Sequence, residues 1–168
     1  MNVIVVYESY WGNTAAVAEA IADGFGPDAH VLPTDAASPA VVEEADLVVA
    51  GAPVIAFGLA SDKMRASIAS DAAKAPSPPD LTHPSLRSWL AALPKGHGRA
   101  AAFETRIWWS PRGATGAIER GLRNAGYEPI TKSQRFVVGG TYGPLREGEL
   151  QRAREWGAEL AQAMRPAA

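Results

Sequence analysis

The segment Val3-Ile4-Val5-Val6-Tyr7-Glu8-Ser9-Tyr10-Trp11-Gly12-Asn13-Thr14 reads as a strand, a turn and the start of a helix. Val3–Tyr7 is apolar at consecutive positions and mostly β-branched, as a strand buried on both faces of a sheet should be. Val17, Ile21 and Phe25 then recur at helical spacing, so a helix opens near Thr14. The turn between them is rich in hydroxyls and holds one glycine. A helix N-terminus carries unsatisfied N–H donors and partial positive charge. Gly12 permits close backbone approach, and Ser9, Asn13 and Thr14 add side-chain donors, so the turn suits a phosphate. The plainer alternative is that Asn13 or Thr14 caps the helix and does nothing more. No Lys or Arg precedes Lys63, so a phosphate here would rest on dipoles and hydrogen bonds alone.

The same alternation continues outward. Further apolar runs lie at Ala29–Leu32, Leu47–Ala50, Arg99–Phe103 and Arg135–Val138. Helical stripes fall between or after them: Leu86, Leu90 and Leu93; Ile118, Leu122 and Ala125; and Leu150 through Trp156 to Met164. Ser38, Pro39 and Val41–Ala45 suggest one short helix more. Strands alternating with helices predict an α/β fold, a doubly wound three-layer sandwich around a five-stranded parallel sheet. Residues 1–168 read as a single domain. Residues 59–83 form an extended loop or lid in which Ser61 caps a helix through Met64 and Ile68 and Ala75-Pro-Ser-Pro-Pro-Asp80 ends it. Few large apolar side chains anchor this segment, so it is expected to be mobile.

Composition narrows the function. With no cysteine, thiolate metal sites and cysteine nucleophiles are excluded. His30, His83 and His97 show no metal-ligand spacing. No run approaches the roughly 20 apolar residues of a membrane span. The first residues enter an apolar strand at once, so no secretory leader is expected. The net charge of −2 conceals two unlike halves: residues 1–84 carry 11 acids against 3 bases, residues 85–168 carry 7 against 13. Neither half has a dense basic run with interleaved aromatics, so nucleic-acid binding is not expected. The turn at Ser9–Thr14 has neither Gly-Lys-Ser/Thr nor G-x-G-x-x-G, and Gly51 stands where a phosphoacceptor domain needs Asp.

The turn resembles the FMN phosphate loop of flavodoxins, Thr/Ser-x-Thr-Gly-x-Thr. Ser9, Gly12 and Thr14 match it, and Trp11 stands where a hydroxyl is usual. Gly51-Ala52-Pro53 with Phe57-Gly58 resembles the family's loop after the third strand. Gly143-Pro144-Leu145-Arg146-Glu147-Gly148-Glu149-Leu150, leading into the Trp156 helix, resembles bacterial flavodoxin-domain proteins. The resemblance is to the short-chain type and implies strand order 2-1-3-4-5. Ligands then bind where strand order reverses, between strands one and three.

On that basis Ser9, Tyr10, Trp11, Gly12, Asn13 and Thr14 are expected to hold the phosphate. Ala52, Pro53, Phe57 and Gly58, with Glu104, Thr105, Arg106, Trp108 and Trp109, are expected around the flavin ring, whose flat faces suit aromatic partners. Arg106 and Arg112 would raise its potential. The implied function is electron transfer through non-covalent FMN, in the bacterial cytoplasm, with a redox partner protein or a small donor or acceptor. Two alternatives stand beside it: an FMN-dependent NAD(P)H or quinone oxidoreductase, and an interaction module without FMN, in which Trp11 fills the loop. No catalytic constellation independent of a cofactor is present.

Overall fold

A computed structural model describes residues 1–166. The elements run β1 (Val3–Tyr7), α1 (Asn13–Phe25), β2 (Ala29–Pro33), α2 (Pro39–Glu43), β3 (Leu47–Ile55), β4 (Gly58–Leu59), α3 (Asp62–Ser70), α4 (Leu86–Ala91), β5 (Arg99–Ile107), α5 (Thr115–Asn124), β6 (Glu128–Pro129), β7 (Gln134–Val138) and α6 (Glu149–Ala163). The sheet order is β2-β1-β3-β5, all parallel, and β6 and β7 share the fifth position against β5. This is the expected 2-1-3-4-5 order with two additions. The fifth strand is interrupted: Glu128 and Pro129 pair with Arg99 and Ala100, and pairing resumes from Gln134 opposite Phe103. The β3 strand runs on to Ile55 and folds back as an antiparallel hairpin with β4.

Strand alternation sorts the core into two layers. Ile4 and Val6 of β1 face Val48, Ala50, Leu86 and Trp89, together with Ile118 and Leu122 of α5. Val3 and Val5 face Val17 and Ile21 of α1 and Trp156 and Leu160 of α6. Full burial of side chains of this size stabilises the fold by about 1.5–3 kcal/mol each. The α1 and α6 helices cross backbone to backbone, because a Cβ on Gly157 would stand 2.1 Å from the Ile21 carbonyl oxygen.

The connection after β4 is not an open loop. Ser61 caps α3, its Oγ accepting from the Met64 N–H at 3.3 Å. Beyond α3 the chain returns to the sheet and is tied to the loop after β1. Asp80 N–H donates to the Tyr10 carbonyl at 2.8 Å, and the Trp11 indole N–H donates to the Ser77 carbonyl at 3.2 Å. His83 stands between Asp35 (2.9 Å) and Asp80 (3.1 Å). Among the described residues no helix is long and apolar enough to cross a membrane.

Candidate functional site

The loops following β1, β3, β5 and β7 converge at one end of the sheet and line a single cleft. On the side formed by the loop after β1, Gly12 takes φ +92°, a left-handed conformation that costs a glycine little. That turn starts α1 with no side-chain cap at Gly12. The first turn of a helix lacks intrahelical acceptors, so the N–H groups of Asn13, Thr14 and Ala15 remain available. Ser9 Oγ accepts from the Gly12 N–H at 3.1 Å and stabilises the turn. The Thr14 and Thr105 hydroxyls, 2.8 Å apart, join this loop to β5. Asn13 donates to the Tyr142 carbonyl at 3.2 Å and joins it to the loop after β7.

The opposite wall is apolar. Val54, Ile55 and Ile107 contribute to it, with Phe57 at the rim and Ile68 reaching in from α3. The hairpin tip is a two-residue turn, Ala56-Phe57, with φ +46° and +67°. Such turns favour Asn-Gly, and each non-glycine residue held there costs on the order of 1–3 kcal/mol. The strain holds Phe57 edge-on to Trp109, ring centroids 6.0 Å apart.

An anion-ready helix start and an apolar slot thus sit together where strand order reverses, in a sheet ordered 2-1-3-4-5. No family model and no curated protein matches the chain. Solved structures do. An archaeal flavodoxin superposes with a TM-score of 0.66 at 22% identity, covering 96% of this chain and 97% of that one. Flavodoxin 1 from Bacillus cereus superposes at 0.66 with 15% identity, covering 98% and 100%.

The chain has the flavodoxin fold.

A flavodiiron core from Synechocystis contains the same fold as one part: it superposes at 0.61 with 21% identity over 97% of this chain and 36% of that protein.

Within the flavodoxin fold, the expected site residues divide. Ser9, Tyr10, Trp11, Asn13, Thr14, Pro53, Phe57, Thr105 and Arg106 line the cleft, around the turn made by Gly12. Pro53 and Thr105 do so from inside strands, because β3 and β5 run further than their apolar cores suggest. Ala52 is buried in the core, and Gly58 lies in β4, off the cleft. Trp108 and Trp109 are 65% and 55% exposed at the rim, outside the lining.

Glu104 departs most from expectation. It is wholly buried, and its Oε2 accepts the N–H groups of Ala114 (2.6 Å) and Thr115 (2.9 Å), capping α5. Its Oε1 is ion-paired to Arg106 at 3.2 Å. Arg106 also donates to the carbonyls of Ile107 and Ser110. The exposed Arg135 stands 3.8 Å from the same Glu104 Oε1, so two guanidinium groups share one carboxylate beside the cleft. Arg112 is exposed and stays outside the lining.

Several lining residues carry no local signal. Gly140 and Thr141 follow from topology alone, since the loop after β7 must reach this end of the sheet. Ile68 could be found only by knowing where α3 docks. Arg65 on α3 is the second missed residue there. Its guanidinium bonds Glu8 at 2.7 Å and stands 5.7 Å from the Tyr10 ring centre. The Tyr10 hydroxyl donates to the same Glu8 oxygen at 2.8 Å. Burial, then the Glu8 charge and hydrogen bond, push the Tyr10 hydroxyl far above its ordinary value, so it remains a neutral donor.

Proposed function

We propose that the chain binds FMN non-covalently in this cleft and passes electrons through it to a redox partner protein or a small-molecule donor or acceptor. The observation that carries the reading is the uncapped start of α1. A left-handed Gly12 opens it, and the free N–H groups of Asn13, Thr14 and Ala15 lie beside an apolar slot. The donor set fits a phosphate ester, and the slot between Ile55, Phe57 and Ile107 fits a flat heteroaromatic ring. When bound, the flavin supplies one- and two-electron chemistry. The chain's own residues bind and orient: Ser9 and Gly12 shape the turn, Thr14 and Thr105 fix its distance from β5, and Phe57 and Trp109 frame the ring edge. Residues 59–83 act in this reading as a docked lid over the phosphate side. The Trp11 indole is held by the Ser77 carbonyl and lies edge-on to Tyr142 at 4.8 Å, which supports a loop open to a ligand. The likeness to flavodoxins supports a carrier working in the cytoplasm.

Visible absorbance after incubation with FMN tests this reading. The expected result is a protein-bound flavin spectrum with strongly quenched fluorescence. Thr14→Ala, which keeps the N–H but removes the hydroxyl joined to Thr105, is expected to loosen the turn and weaken FMN severalfold, and riboflavin by less. Trp109→Leu is expected to brighten the bound flavin. A protein that takes up no flavin refutes the reading.

A further inference from the structure

The second base of the whole chain, Arg65, lies at the loop that the sequence leaves without a cation. It does not line the cleft. It meets Glu8 instead, whose backbone immediately precedes Ser9. Glu8 is 2% exposed, and its Oε2 takes both the Arg65 bond at 2.7 Å and the Tyr10 hydroxyl at 2.8 Å, while Oε1 has no partner. A buried carboxylate is poorly screened, so its field extends over the adjacent turn. A phosphate in that turn would meet an uncompensated negative charge unless a cation stood beside the carboxylate.

Resting on the FMN reading above, we infer that Arg65 is the positioning residue that makes this loop acceptant of a phosphate, by neutralising Glu8 from outside the cleft. The arrangement separates two tasks in one side chain. One guanidinium nitrogen, Nη1, neutralises Glu8. The other, Nη2, donates to the carbonyls of Leu81 (3.2 Å) and His83 (2.6 Å) and holds the returning chain against the loop. The charge selects for the phosphorylated flavin; the fork holds the lid. FMN and riboflavin share the ring and the ribityl chain and differ only in the phosphate. The ratio of their affinities therefore reads the phosphate's surroundings, and Arg65→Lys, which keeps the charge and loses the fork, separates the charge from the tether.

The test measures dissociation constants for FMN and riboflavin, by fluorescence quenching, on the full chain and its variants. Arg65→Gln is expected to weaken FMN about tenfold or more and riboflavin less than about threefold. Glu8→Gln, with the cation retained, is expected to shift the ratio the other way, toward FMN. The double variant is expected to return the ratio to within about threefold of the native value. Arg65→Lys keeps the charge and loses the fork. It is expected to keep the ratio while exposing Lys74 to limited proteolysis. Should Arg65→Gln not fold, the Glu8→Gln shift and the Arg65→Lys ratio still decide. Equal losses of both flavins in Arg65→Gln, or an unmoved ratio in Glu8→Gln, overturn the inference while leaving FMN binding intact. A native chain that binds neither flavin overturns both.

Discussion

Glu8 at the end of β1 and Glu104 in β5 are both buried carboxylates paired to an arginine at the same end of the sheet, yet their settings differ. Glu104 is satisfied on both oxygens: Arg106, two residues away, and Arg135 of β7 share the first, and two N–H groups of the α5 start fill the second. Glu8 depends on a partner 57 residues distant, on a segment joined to the sheet by hydrogen bonds, and keeps one oxygen unpartnered. The first arrangement builds the loop after β5. The second couples the loop after β1 to α3. A buried carboxylate with both oxygens satisfied rigidifies its surroundings; one that keeps an unpartnered oxygen does so less.

The largest expected effect breaks that comparison directly. Glu104→Leu takes the carboxylate from Arg106, which is nine-tenths buried and keeps only the carbonyls of Ile107 and Ser110, and it uncaps α5; it is expected to lower unfolding free energy by about 3–5 kcal/mol in urea titrations. Glu8→Leu leaves Arg65 with two carbonyl acceptors and partial solvent access, and is expected to cost about 1–3 kcal/mol. Equal losses would mean that the two carboxylates are held alike.

Strain at the ring side gives a smaller effect. Replacing Ala56→Asn together with Phe57→Gly supplies residues that accept positive φ at both turn positions. The pair is expected to raise stability by about 1 kcal/mol in thermal unfolding, even with the Phe57–Trp109 contact gone. A loss of stability would show that the contact outweighs the backbone cost.

The smallest effect concerns a third carboxylate–arginine pair, away from the cleft. Partial burial works against the charge of Glu149, but hydrogen bonds from Arg152 and the Val137 N–H, with the nearby charges of Arg152 and Arg146, outweigh it and hold the carboxyl below its ordinary 4.5. A depressed folded value contributes stability above pH 4.5 that is lost as pH falls through the folded value. The stability difference between the native chain and Glu149→Gln should therefore be present at pH 7 and shrink steadily below about pH 4.5. A difference independent of pH would refute the assignment.

Much of this was legible from the sequence. Val3–Tyr7 is the observed β1, because consecutive apolar β-branched residues have few alternatives to a buried strand. Ser61 announces α3 because capping is local chemistry. The ends of β3 and β5 were not legible, since Pro53 and the charged pair Glu104 and Arg106 disguise strand continuation. Pro53 is tolerated within β3, and Glu104 is tolerated in the core because α5 supplies its donors. Nor was the Glu8–Arg65 pair legible: no periodicity encodes a contact across 57 positions. Trp108 and Trp109, expected around the flavin ring, are exposed and lie outside the lining, Trp109 edge-on to Phe57.

The proposed seat of the FMN phosphate is the start of α1. Calorimetric titration of the native chain with FMN, and separately with riboflavin, tests it most directly. One FMN per chain is expected, bound at least about tenfold tighter than riboflavin, the margin of a single charge-assisted hydrogen bond. Equal affinity for the two, or no binding of either, would contradict it.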